Sequence, residues 1–115
     1  MSRKGQAGEA AAASFLEEKG IKILKKNFRS RMGEVDIIAL DGETLVFVEV
    51  KTWSSLSIES LEYALDNKKK HKIVETSKYF LSLHREYRYM AIRFDVIFVS
   101  PKGISHLASA FTESV

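Results

Sequence analysis

Two carboxylates and a lysine stand where strands would ordinarily carry apolar side chains. Asp36 interrupts the run Val35-Asp36-Ile37-Ile38-Ala39-Leu40, and thirteen residues later Glu49 interrupts Leu45-Val46-Phe47-Val48-Glu49-Val50, with Lys51 directly after it. A carboxylate is costly to bury unless it is paired or binds a cation. Two carboxylates held close repel, so one keeps its proton unless a positive charge intervenes. Lys51 can neutralise part of that charge, and a divalent metal can neutralise more. Mg²⁺ prefers hard oxygen ligands and commonly uses one or two carboxylates together with substrate phosphate. Such an ion stabilises charge on phosphoryl oxygens, and a neighbouring lysine can orient water or take up developing negative charge. The chemistry these three residues point to is phosphoryl hydrolysis. The plain alternative is an ion-pair network in which Lys51 bridges Asp36 and Glu49 at a sheet rim, and the bare residues weigh the two evenly.

No rival nucleophile competes. Cysteine is absent, which excludes disulfides and cysteine-ligated zinc. His71, His84 and His106 share no metal-ligand spacing, and Gly5 and Gly8 form no phosphate loop. His71 reads as basic surface and His84 as the end of a helix's inner face, while His106 carries no signal.

The elements that must position the trio are two strands of a hairpin, signalled by Asp41-Gly42. Opposed residues of an antiparallel pair have a constant sum of numbers. A two-residue loop at Asp41-Gly42 sets Asp36 opposite Phe47, with Glu49 diagonal to it on the same face. A four-residue loop over 41–44 sets Asp36 directly opposite Glu49. A three-residue loop without a bulge would separate the two acids. Lys51 shares the face of Glu49, and Ile38, Leu40, Leu45 and Phe47 fill the part of that face nearer the turn.

Around the hairpin, residues 5–19 read as a helix rich in alanine, carrying Glu9, with Gly20 as its C′ stop. Residues 21–29 read as an edge or half-exposed strand. A second helix is expected over about 67–84, with Asp66 as N-cap and Ile73, Val74, Ser77, Phe80, Leu81 and His84 as its inner stripe. Ile92–Ser100 alternates as a strand, Arg93 and Asp95 reading as a cross-strand ion pair, and the tail beyond Pro101-Lys102-Gly103 has no assignment. The order is α-β-β-β-α-β, a mixed α/β class. With 115 residues, no repeat and no low-complexity linker, one domain over 1–115 is the economical reading.

Net charge is only +3, but its distribution is uneven. Lys19, Lys22, Lys25, Lys26, Arg29 and Arg31 form an acid-free basic stretch, and Lys68-Lys69-Lys70-His71-Lys72 forms a second. Such patches suit a polyanion. A solvated lysine face would be the better reading if either stood alone. Lysines at a helix start oppose the macrodipole, which an external anion would explain for Lys69 and Lys72. No apolar stretch approaches the roughly 20 residues of a membrane span, and the N-terminus does not read as a signal peptide. A cytoplasmic address and no membrane partner are expected.

Asp36…Glu49-Val50-Lys51 resembles the D…(D/E)-x-K signature of the PD-(D/E)XK nuclease superfamily. Its surroundings are more specific. Gly8-Glu9 followed by Ala10 to Leu16, Asn27, Gly33-Glu34-Val35-Asp36-Ile37-Ile38-Ala39, Val46 to Lys51, Lys69…His71-Lys72-Ile73 and Arg93-Phe94-Asp95-Val96 together look like the bacterial YraN-like family, from about residue 4 to residue 99. The resemblance implies a restriction-endonuclease-like mixed sheet flanked by helices, similar to archaeal Holliday junction resolvases. It implies a metal site of Asp36, Glu49 and the main-chain carbonyl of Val50, joined by Glu9 from the first helix, with Lys51 as catalytic lysine. Mg²⁺ is the implied ion, with Mn²⁺ as substitute. Glu34 reads as a turn residue outside this set.

Two departures from the family pattern are Trp53, where arginine is common, and Leu56-Ser57-Ile58-Glu59, which lacks the usual glycine. Trp53 can stack on a base or sugar, although packing is its plainer role. Nucleic-acid contacts are expected from Lys69, Lys72, Trp53, Arg29 and Arg31. The expected function is a metal-dependent endonuclease acting on branched or damaged DNA in repair or recombination, and a homodimer if both strands are cut. The rivals are a non-catalytic nucleic-acid-binding module assisting a repair or recombination partner, and a protein-interaction domain with a structural ion-pair face.

Overall fold

The computed structural model describes residues 3–52 and 66–113. Trp53 and the Leu56–Glu59 segment lie outside the described residues. The chain begins with α1, Arg3–Glu18, followed by three strands, β1 (Lys22–Ser30), β2 (Gly33–Asp41) and β3 (Thr44–Thr52). Helix α2 (Asn67–Leu83) and a short 3₁₀ turn, Arg85–Tyr87, precede β4 (Ala91–Ser100) and β5 (Gly103–Phe111). The strands form one sheet in the order β1-β2-β3-β4-β5. The β3–β4 pair is parallel and the other three pairs are antiparallel. A parallel pair needs a crossover, and α2 lies within it.

Alternation along the central strands builds two cores. Ile37, Ala39, Val46, Val48 and Ile97 face α1 and pack on Ala12, Ala13 and Leu16. Ile38, Leu45, Phe47, Val96 and Phe98 face the other way and pack on Ile73, Val74 and Phe80 of α2. The small residues of α1 let it lie close to the sheet, and a side chain at Gly8 would collide with Thr52 Oγ1. Ile21 N–H bonds to the Leu16 carbonyl and Gly20 N–H to that of Glu17, with Gly20 at φ +83°. This is the Schellman stop expected from the glycine. Asp66 caps α2 as expected, its Oδ1 accepting from Lys69 N–H at 2.8 Å.

The hairpin turn sits one residue later than Asp41-Gly42. Asp41 still pairs with Thr44, leaving Gly42-Glu43 as the loop. Gly42 takes the first central position with φ +62°, the sign that a twist-matched two-residue turn requires there. The resulting register, Leu40 opposite Leu45 and Ile37 opposite Val48, is that of the wider loop. Continued one step, it sets Asp36 opposite Glu49.

The tail forms β5, an edge strand that the sequence left unassigned. Few of its residues are buried, so no apolar alternation marks it. Phe111 stacks on Phe94 at its end, and polar bonds reinforce the ladder with β4. Asp95, fully buried on β4, lies 2.7 Å from His106 Nε2 and accepts the Ser109 N–H at 3.0 Å. Arg93 also pairs with Asp95, through Nε at 2.9 Å and Nη2 at 3.1 Å, within β4 rather than across strands. Among the described residues, no helix is long and apolar enough to cross a membrane.

Candidate metal centre

The site forms where β2, β3, α1 and α2 meet. Asp36 is anchored from the neighbouring strand, its Oδ2 accepting the Val50 N–H at 2.7 Å. Val50 thus gives its amide to Asp36. Burial, a hydrogen bond with Glu49 and the Glu49 charge push the Asp36 carboxyl up to about 9, against the opposing pull of the Val50 N–H. Glu9 reaches the same place from α1. Burial raises its pKa as well, helped by the charges of Glu34 and Glu49 and resisted by the Asn27 side chain and Arg29. One carboxylate oxygen each from Glu9, Glu34 and Asp36 lie within 4.8 Å of one another.

Two members of this cluster escaped the sequence reading. Glu34 reads from the sequence as a turn residue, yet it belongs to β2 and joins Asp36 and Glu9. The signal was present, because residues two apart on a strand share a face. Asn27 was named only inside a family pattern. The β1–β2 register on either side of it sets it opposite Asp36, and its φ of +54° marks a local departure from strand geometry. Asn27 Oδ1 and Glu34 Oε1 are buried without a hydrogen-bond partner among the described residues.

Lysines border the acids. Glu49 pairs with Lys69 Nζ at 3.1 Å, in place of the expected bridge through Lys51. Burial works against charge on Lys69, but Glu49 overcomes it and the net shift is upward. Lys51 moves the other way. Burial lowers its pKa, Glu49 and Asp36 oppose that, and the adjacent Lys69 ammonium reinforces it. Beside these groups opens a hollow of about 190 Å³, lined by Gly33, Glu34, Asp36, Glu49, Lys69 and Lys72. Arg29 is exposed, 3.7 Å from Glu34, and Arg31 is exposed in the turn after β1.

The donor set fits a hard divalent cation. It consists of carboxylate oxygens, two buried oxygens around it lack partners, and burial, with the hydrogen bond to Glu49 and the Glu49 charge, favours the protonated form of Asp36. Glu9, Glu34 and Asp36 would hold such an ion, with Glu49 adjoining through Asp36.

A profile of the uncharacterised protein family UPF0102 matches residues 8–99. Curated relatives carrying that family name span nearly the whole chain. One from Treponema denticola is 42% identical, covering 96% of this chain and 96% of its own. One from Persephonella marina is 42% identical, covering 94% and 92%. One from Syntrophus aciditrophicus is 46% identical over 87% of this chain and 78% of its own.

Proposed function

The chain belongs to the uncharacterised UPF0102 family, the YraN-like family that its motifs resemble, and from the cluster it carries we propose a divalent-metal-dependent endonuclease that hydrolyses DNA phosphodiester bonds. One observation carries this reading. Four carboxylates from α1, β2 and β3 converge at a hollow that Lys69 and Lys72 also line, and among the described residues ion pairs reach two of them, Glu49 to Lys69 and Glu34 to Arg29. Structural ion pairing alone would be better served by one base per acid.

The residues divide the work by position. Glu9, Glu34 and Asp36 supply oxygens for the ion, and Asn27 orients Glu9. When bound, the ion would offset their repulsion and stabilise charge building on the phosphoryl oxygens. Lys51 orients the attacking water and takes up developing negative charge. Lys69 holds Glu49 and, with Lys72, presents positive charge to the phosphate backbone. Mg²⁺ is the proposed ion and Mn²⁺ its working substitute. Branched or damaged DNA in repair or recombination is the proposed substrate, met in the cytoplasm. A symmetric homodimer would present one site to each strand.

The test is incubation with Mg²⁺ or Mn²⁺ and a panel of duplex, flap, four-way-junction and single-stranded DNA. Metal-dependent cleavage is expected. Lys51→Met should lower its rate by about a hundredfold, the scale of losing one electrostatic stabiliser, while calorimetric titration still shows Mn²⁺ binding. Salt-sensitive binding without cleavage under any metal would leave only the non-catalytic binding module.

A further inference from the structure

We infer that the outer edge of β1 is a track for an unpaired DNA strand, leading it to the carboxylate cluster. The inference takes the polymer from the proposed function, but it stands on other residues. Strand β1 is an edge strand, and two hollows open along it. The larger, about 420 Å³, includes Lys25, Arg29, His84 and Tyr87 in its walls. The smaller, about 260 Å³, includes Arg29, Arg31, Met32 and Tyr79. Arg29 borders both.

The walls alternate rings with cations. Phe28 contacts Tyr79 at 6.0 Å and Phe80 at 5.1 Å, and Phe80 stacks on His84 at 4.3 Å and on Tyr87 at 6.1 Å. Phe28 and Phe80 belong to the core, so packing accounts for them. It does not account for Tyr79 and Met32, which are 43% and 44% exposed beside Arg29 and Arg31. Single strands are held by this combination, cations following the phosphates and flat side chains receiving bases. A paired duplex keeps its base faces stacked inside, so the rings would have nothing to receive.

The track is also joined to the chemistry. Asn27 lines the larger hollow and bonds to Glu9, and Arg29 lines both hollows and pairs with Glu34 at 3.7 Å. A strand seated along β1 is therefore next to two of the three clustered carboxylates. The site would then favour junctions with a splayed arm, cutting near the point where pairing stops.

The experiment is a fluorescence anisotropy titration in EDTA with labelled oligothymidylate, a splayed-arm duplex and a blunt duplex. Tighter binding to the first two is expected. Tyr79→Ala should weaken oligothymidylate about tenfold, the scale of one lost base stack, with Tyr79→Phe retaining affinity and blunt duplex changing less than twofold. Should Tyr79→Ala melt early, Arg31→Glu reads the same track from an exposed turn, and it should weaken the single strand and flatten its salt dependence. Equal losses on blunt and single-stranded DNA, or no loss in folded variants, would overturn the track. Because binding is read without metal, Tyr79-dependent affinity in a protein that never cleaves would retain the track and remove the hydrolase. Cleavage indifferent to these variants would do the reverse.

Discussion

Asp36→Asn will abolish metal-dependent cleavage and, in the absence of metal, stabilise the protein. The two effects share one cause. Burial, together with the hydrogen bond to Glu49 and the charges of Glu49 and Glu9, raises the Asp36 carboxyl to about 9. An unfolded aspartate titrates at about 4. Between those values the folded state holds a proton that the unfolded state has released, so folding takes up a proton. Stability contributed by this group is thus present in full below about pH 4 and lost as pH rises toward 9. The direction is opposite to that of a salt-bridged aspartate. Asparagine removes the penalty, because its Oδ1 can still accept the Val50 N–H and its amide can donate to Glu49. Allowing for solvent in the hollow and for the proton shared with Glu49, a gain of about 1–3 kcal/mol at pH 8 is expected, with a flatter pH profile. Denaturant melts in EDTA at pH 5 and pH 8 measure it.

Metal reverses the ranking. An ion that binds the folded state stabilises it by mass action, so Mn²⁺ should raise the melting temperature of the wild type and leave Asp36→Asn nearly unmoved. Cleavage should fall by about a thousandfold or more, as when a group stabilising transition-state charge is removed. A variant less stable than wild type at pH 8 without metal would show that Asp36 is a satisfied structural acid. The metal-site reading would fall with it.

The contrast between what was legible and what was not follows from the range of the interactions. Gly20, Asp66 and the hairpin glycine act within a few residues, and the sequence placed the first two correctly and the third within one position. Strand parity, given an even hairpin loop, placed Asp36, Glu49 and Lys51 on one face without any knowledge of the rest of the fold. The same parity includes Glu34, but a glycine directly before it gives Gly33-Glu34 the look of a turn. The Lys69–Glu49 pair and the Asn27–Glu9 bond were not legible. Each joins elements whose relative placement depends on packing that no local pattern encodes. The same is true of β5. Its signal was a buried aspartate on one strand and a histidine on the next, eleven residues apart, and their types alone do not announce that they meet.

That second polar network carries the other large effect, on stability instead of chemistry. Asp95 is 0% exposed, and its two oxygens serve Arg93, His106 and the Ser109 N–H. Asp95→Ala would take a partner from each of the three. Arg93 keeps Asp41, 3.0 Å away, but the His106 side chain is only 8% exposed and cannot turn to water in place. Removing one member of a buried charged network typically costs about 3–5 kcal/mol, and a cost in that range is expected from urea unfolding. Asp95→Asn should cost less, because its Oδ1 can still serve Arg93 and a change of His106 tautomer can meet its amide. Amide exchange should locate the loss first in β5, whose hold on the sheet depends on these bonds more than on apolar burial. Asp95 shares a strand face with Ile97, on the α1 side of the sheet, while the hollow beside Glu49 and Lys69 opens on the α2 side. Cleavage per folded molecule should therefore survive the substitution at temperatures where the chain remains folded. A loss of activity at full folding would show that the two polar networks are coupled across the sheet, and a cost below about 1 kcal/mol would show that β5 is held by something other than Asp95.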